Sequence, residues 1–534
     1  MLGLLYFLAL LWAIIYALNR RRQETSNRLS LPAYRVPRTQ AAKYQVKLRP
    51  LHLIIETTAL NHTHDKFAWA LLRNPASKDA LKLFYGFGAV LGVIGMFSGI
   101  GMLVWTTWTL SYLLLSTPLT GDGLVKRDAT ASLSQGGGIP FYLIMPGVTT
   151  PLSDLPVLLF SLFISLCFHE FGHAVAAAVD SVPLTSTGAS LLVLIPSAFV
   201  SISSGAMSRL PAAGRLRIAS AGAYHNITIF AIISLLGRTR FGHRILAIGY
   251  EDVSRLGRVV ISIDGDSPLN GHIVPGDTIT RLNDFALGSD LHQDLWSQYF
   301  LEPDTIPASP STGWCVETEW LRGQSSDCCS VGAPRMAGVA CFSSPHSTTK
   351  MDRCLDPIPI MTENDKARCS SGGICIGNYT CVTYTSPNPL LRIGVSEGEV
   401  LKTVLWSGPP LEVWQQVEVG ELRPRAFVYP LSLPRSLASY MSYLKAIMLS
   451  LFVMNLFPLS FLDGGQVLQA TIDHLLQDSE KAQDLEAGGR GFRDMDVSGR
   501  RGRQKTLIKS SVEVSTWVLL GTSSTLGLVH WYRS

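Results

Sequence analysis

About six stretches of this sequence are apolar for long enough to cross the hydrocarbon core of a bilayer, which takes roughly 20 residues of helix. They lie at residues 2–18, 83–115, 155–179, 216–236, 440–462 and 514–531. Lipid offers no hydrogen bonds to backbone groups, so a chain with such runs folds as a helical membrane protein. A further apolar run, 191–202, is too short to span and is expected to form a re-entrant or buried hairpin segment. Composition agrees, since the 534 residues are 47% hydrophobic and only 16% charged, against about 25% charged in ordinary soluble chains.

Charge then orients the spans. Arg20, Arg21 and Arg22 follow the first apolar run, the wrong order for a cleavable leader and the right one for a retained anchor with its C-terminal end in the cytoplasm. Alternating from there puts residues 19–82, 180–215 and 464–512 in the cytoplasm, and these are the loops rich in Lys and Arg. The last of them holds Arg490, Arg493, Arg500, Arg501, Arg503 and Lys505 in a Gly-rich setting, where a mobile loop is expected. The net charge of +5 is spread over several loops, so nucleic acid is not an expected partner and the lipid bilayer is.

Residues 238–437 fall in the lumen on this topology, and cysteine usage fits. Cys315, Cys328, Cys329, Cys341, Cys354, Cys369, Cys375 and Cys381 all lie in this segment. An even cluster in an oxidising compartment reads as disulfides, with connectivity left open; the alternative is a reduced zinc module, though repeated C-x-x-C spacing is missing. Asn378-Tyr379-Thr380 is a glycan acceptor on the same side, whereas the acceptor sequences at Asn61 and Asn226 would be cytoplasmic and membrane-embedded.

The chemistry is concentrated in Cys167-Phe168-His169-Glu170-Phe171-Gly172-His173, near the cytoplasmic end of the third span. Histidines four apart share a helix face and can grip one zinc ion, while Glu170 can serve as general base toward a water held there. The bland alternative is two core histidines and a paired glutamate. Charge at membrane depth costs about 2.5–3.5 kcal/mol, however, and usually marks function. Cys167 points about 200° around the helix from His169 and is given only a structural part.

Two histidines leave a catalytic zinc one protein ligand short. Asp180 lies about 10 Å along the helix from His173, too far to share a metal. Asp463 ends the fifth span in Asn455-Leu456-Phe457-Pro458-Leu459-Ser460-Phe461-Leu462-Asp463-Gly464-Gly465 and reaches the same depth as His169, where Pro and Gly loosen the helix. Its alternative reading is an interfacial cap for the next helix.

The H-E-x-G-H span, the N-x-x-P-x-x-x-x-D-G span and the large domain between them resemble the site-2 protease family of intramembrane metalloproteases. That resemblance implies zinc on His169, His173 and Asp463, with Glu170 activating water. It implies support of substrate or oxyanion by Asn455 and, more loosely, by Asn226, which follows Gly222-Ala223 where many members have Gly-Pro. Gly257 to Ser262, Ser267-Pro268-Leu269 and Val274 to Ile279 resemble the family's PDZ-like module, with strand-like residues resuming at 390–419 after a Cys-rich insertion at about 312–385.

The expected fold is thus an α-helical polytopic membrane protein of about six spans with a lumenal PDZ-like, mainly β domain. Its parts are an anchor (1–18), a cytoplasmic loop (19–82), a membrane core (83–237), the lumenal domain (238–437), a span with the third ligand (438–463), a basic cytoplasmic loop (464–512) and a last span (513–534). The resemblance further implies cleavage of membrane-anchored transcription factor precursors already cut on their lumenal side, in the Golgi or endoplasmic reticulum, with the active site toward the cytoplasm. A metal-binding membrane transporter or a non-catalytic escort of membrane helices uses the same residue types and is the competing class.

Overall fold

The computed structural model describes residues 2–28, 44–116, 150–239, 241–288, 294–306, 313–329, 338–344, 351–362, 368–369, 373–385, 390–398, 400–487 and 494–533. The chain divides into two compact units, Met1–Thr239 with Ser439–Ser534, and Arg240–Ala438.

The first unit is a helical bundle. Among the described residues five helices are long and apolar enough to cross a membrane: Pro75–Ser116, Leu152–Val179, Ala212–Arg238, Leu433–Asn455 and Arg503–His530. Residues 2–18 lie in a further helix, Leu2–Arg28. The protein is therefore a polytopic membrane protein. Pro75–Ser116 runs for 42 residues, about 63 Å at 1.5 Å each, and so outreaches a hydrocarbon core of about 30 Å. Its Gly88, Gly92, Gly95 and Gly99 form a stripe three or four residues apart. Side chains of Tyr224, Ser220, Leu456 and Phe457 sit where a Cβ on these glycines would stand, the close approach that small residues allow between membrane helices.

The Leu155–Val179 helix has Pro156 in its first turn, where a missing N–H costs nothing. It ends at Asp180 because Ser181 takes a positive φ of 58° and Pro183 cannot continue the ladder. The chain then turns into strand β3 (Leu184–Leu192) and, through a two-residue turn, β4 (Ile195–Ile202). The short apolar run at 191–202 thus supplies the turn and second strand of a β-hairpin. It belongs to an antiparallel sheet ordered β1-β2-β3-β4, whose first two strands are Tyr44–Arg49 and His52–Thr57. Two segments read from sequence as loops therefore pair across more than a hundred residues. Trp12, buried in the first helix, donates its indole N–H to the Val193 carbonyl at the hairpin turn (2.9 Å).

Two boundaries differ from expectation. The run at 440–462 is not one helix: Leu433–Asn455 stops at Asn455, and a new helix, Asp463–Ala487, begins at Asp463. Pro458 removes a donor between them. Much of 464–512, expected as a basic loop, is helical in Asp463–Ala487 and Asp494–Arg533. Arg490 and Arg493 lie outside the described residues, as do the side chains of Arg500 and Arg501.

The second unit is β-rich. One sheet runs in the order Val400–Ser407, Leu390–Glu397, Thr278–Leu282, Arg258–Ile263, Val417–Gly420. It buries Val260, Ile279, Leu282, Ile393, Val395 and Val417 against Trp296 and Val413. A second sheet, from residues within 314–384, has Phe342, Leu355 and Val382 at its centre. All eight cysteines of this region are paired, Cys315–Cys375, Cys328–Cys354, Cys329–Cys341 and Cys369–Cys381, leaving Cys167 as the free thiol. Four disulfides use every sulfur that the competing zinc-module reading required. Asn378 is exposed, just before the strand Tyr379–Tyr384.

Candidate metal centre

Three side chains converge inside the first unit. His169 Nε2 lies 2.9 Å from Asp463 Oδ2, His173 Nε2 lies 3.1 Å from the same oxygen, and the two ring nitrogens are 3.2 Å apart. His169 and His173 are buried and Asp463 is largely so. One helical turn separates the histidines, which is why both rings leave the same face of Leu155–Val179.

The opposing face belongs to Ala212–Arg238, where Ile218, Gly222 and Asn226 recur every fourth residue. The Ile218 carbonyl lies 2.8 Å from His173 Nδ1, and it accepts the proton there, which leaves Nε2 as a lone-pair donor. Asn226, fully buried, meets His169 Nδ1 at 3.1 Å through its amide end. Among the described residues the asparagine oxygen is buried without a hydrogen-bond partner. Exchanging N and O of this amide, an assignment that rests on the hydrogen-bond network, lets Oδ1 accept from His169 Nδ1–H and leaves this Nε2 as a lone-pair donor as well. Between the two lies Gly222, where a Cβ would stand 2.4 Å from His173 Nε2 and 2.6 Å from His169 Nε2. Gly172 performs the matching service on the other helix, since a Cβ there would meet the Ala221 carbonyl at 2.6 Å.

Asp463 reaches this point because the chain between the helices folds back tightly. Cβ atoms on Gly464 and Gly465 would stand 2.3 Å from the carbonyls of Leu456 and Phe457 and 2.4 Å from that of Leu459. The Asp-Gly-Gly sequence is therefore a steric requirement of the turn. Asn455, half-buried, ends the preceding helix, and among the described residues its side chain makes no hydrogen bond to the three converging groups. Asp180 is engaged elsewhere, by Arg217 at 2.6 and 3.2 Å. Glu170 is half-buried and accepts the Val200 N–H of β4 at 2.8 Å, so the strand holds the carboxylate that follows the first histidine.

Two imidazole nitrogens and a carboxylate oxygen, all within 4.8 Å of one another, are a donor set suited to zinc. The space left by Gly222 and the two occupied Nδ1 atoms fit the same ion. Sequence reasoning reached His169, Glu170, His173 and Asp463 through their spacing. It passed over Gly222, the Ile218 carbonyl and the Val200 amide, because backbone groups and an absent side chain have no motif of their own. The four-residue recurrence of Ile218, Gly222 and Asn226 was the signal available.

The family model for peptidase family M50 matches residues 157–488, which include the two histidines, the glutamate and the aspartate. A relative from Arabidopsis thaliana, described as a membrane-bound transcription factor site-2 protease homolog, is 23% identical over 442 residues, 72% of this chain and 81% of that protein. M50 peptidases are membrane metalloproteases, which sets the protease reading ahead of the transporter and the escort. On the extent of that match, this chain belongs to peptidase family M50.

Proposed function

We propose that this protein hydrolyses a peptide bond in or near transmembrane helices of membrane-anchored proteins, with His169, His173 and Asp463 as the zinc ligands and Glu170 as general base. The observation that carries the reading is the approach of His169 Nε2, His173 Nε2 and Asp463 Oδ2 to within 2.9–3.2 Å of one another. When bound, zinc supplies a Lewis acid that polarises the scissile carbonyl and lowers the pKa of water. His169 and His173 hold their Nε2 atoms toward the ion through the Asn226 amide and the Ile218 carbonyl. Glu170, steadied by the Val200 N–H, takes the proton of the attacking water and returns it to the leaving amine. Asn226 acts on His169 in this scheme; a part for Asn455 in placing substrate rests on its position at the end of its helix, just ahead of the turn that leads to Asp463.

Substrates are taken to be membrane-anchored transcription factor precursors, a class favoured by the printed name of the Arabidopsis relative. A prior cut on their lumenal side fits a large disulfide-linked unit that would exclude bulky ectodomains. The second unit is read as a lumenal PDZ-like module with a Cys-rich insertion. Its strands at Arg258–Ile263, Thr278–Leu282 and Leu390–Glu397 support that, and the disulfides support an oxidising side. Asn378, exposed beside them, is its glycan site. Golgi or endoplasmic reticulum residence and an active site toward the cytoplasm belong to the same reading.

The test is elemental. Purified His169→Ala, His173→Ala and Asp463→Ala should each lose bound zinc and cleavage of a membrane-anchored reporter, since each removes one of three ligands. Undiminished zinc in the Asp463→Ala protein would take Asp463 out of the site.

A further inference from the structure

Glu513 stands in the last candidate span, Arg503–His530, and nothing in the chemistry above uses it. It lies one residue before the apolar run at 514–531, and a carboxylate at the edge of a span calls for a partner. Its partner is the Ser460 N–H, at 3.0 Å, in the turn between the helices and three residues before Asp463. Ser460 is one of the backbone donors freed where Leu433–Asn455 has stopped and the next helix has not begun. The contact is not isolated. Lys505 Nζ meets Asp473 Oδ1 at 2.8 Å and Lys509 Nζ meets Gln469 Oε1 at 3.2 Å, both acceptors on the helix that Asp463 begins. Trp517 packs on Phe461 with ring centroids 5.8 Å apart. Residues 505, 509, 513 and 517 recur every four positions, one face of one helix. That whole face is applied to the segment 460–473. Asp473 is held from its other side by Arg215 at 2.9 Å, on the helix that supplies Ile218, Gly222 and Asn226.

We propose that the last helix is the positioning element of the third metal ligand, and that Glu513, by accepting the Ser460 N–H, fixes the turn from which Asp463 reaches the two histidines. Glu513 touches neither metal nor substrate and acts through Asp463. The inference rests on Asp463 being a ligand, as proposed above. A ligand on a turn needs such fixing more than His169 and His173 do, since those sit within one rigid helix.

An amide can accept the same hydrogen bond and a hydrocarbon cannot, so the variants to compare are Glu513→Gln and Glu513→Leu in the full-length protein. Zinc affinity is measured by competition with a chelator, and ligand geometry by the visible absorption of the cobalt-substituted protein. Glu513→Leu should lose about 10- to 100-fold in zinc affinity, the range for outer-shell partners of metal ligands, with an altered cobalt spectrum. Glu513→Gln should stay within about threefold of the parent and keep its spectrum. Ser460→Pro deletes the same bond from the donor side and should reproduce the Leu result, which decides the matter if Glu513→Leu does not fold. Parent-like affinity and spectrum in Glu513→Leu or in Ser460→Pro, or equal losses in Gln and Leu, would overturn the proposal. Should Asp463→Ala keep the parent's zinc, the reading of the site has failed; should Asp463→Ala lose it while Glu513→Leu does not, the part given to Glu513 alone has failed.

Discussion

A methyl group is the smallest change that tests the metal centre from behind. At Gly222 it would lie 2.4 and 2.6 Å from the two Nε2 atoms, inside the contact distance of a carbon and a nitrogen, on helices already packed backbone to side chain. Gly222→Ala should therefore cost at least the roughly 10- to 100-fold in zinc affinity typical of a disturbed outer shell. Chelator competition on the purified protein reads it, and parent-like affinity would mean that the two helices stand further apart than described. Asn226 offers a companion test. Asn226→Leu leaves the His169 Nδ1–H without an acceptor in a fully buried place, whereas Asn226→Asp restores one. Zinc affinity should fall about 10- to 100-fold in the first and recover in the second; equal affinity in Asn226→Leu and the parent would show that Asn226 does not hold the ring.

At the scale of elements, the Leu155–Val179 and Ala212–Arg238 helices are tied beyond the metal centre by Asp180 and Arg217. The aspartate side chain is 8% exposed and the guanidinium reaches it through two hydrogen bonds. Arg217→Met strands a buried carboxylate, a change that costs about 3–5 kcal/mol. It should appear as a lower melting temperature, and an unchanged one would show the pair to be solvated. The same elements show how much a sequence reveals. Spans were legible because 20 apolar residues in a row have few other uses, and the histidine pair because four residues make a turn. Of strands β1 to β4, only the run at 191–202, read as a re-entrant or hairpin segment, was. Tyr44–Arg49 and His52–Thr57 carry Lys47, Arg49 and Glu56 among their apolar residues, and the strand that joins this pair to the sheet, Leu184–Leu192, lies more than a hundred residues from His52–Thr57. Local patterning holds no trace of such a pairing. The break at Asn455 was half legible: Pro458 announced a bend, but the complete stop depends on Gly464 and Gly465 letting the turn close upon itself.

For the whole molecule, the two units differ in how they are stabilised. The bundle relies on close helix packing along glycine stripes, and the β-rich unit is cross-linked four times. Cys315–Cys375 closes the longest loop, 60 residues, and by chain entropy contributes about 4 kcal/mol. Replacing both cysteines by serine should lower the stability of this unit by about that amount in denaturant titration; a change below about 1 kcal/mol would mean the pair is open in solution. The account as a whole stands or falls on one carboxylate. Glu170 adjoins the ligand His169, is held by the Val200 N–H at 2.8 Å, and is not itself one of the three converging groups. Glu170→Gln fills the same space and can accept the same hydrogen bond but cannot take a proton from water. The measurement is zinc content and reporter cleavage on the same preparation of Glu170→Gln protein. The expected result is one zinc per chain, as in the parent, with cleavage reduced by at least about 10²- to 10⁴-fold. Zinc-loaded Glu170→Gln protein that released the reporter at the parent rate would contradict the mechanism.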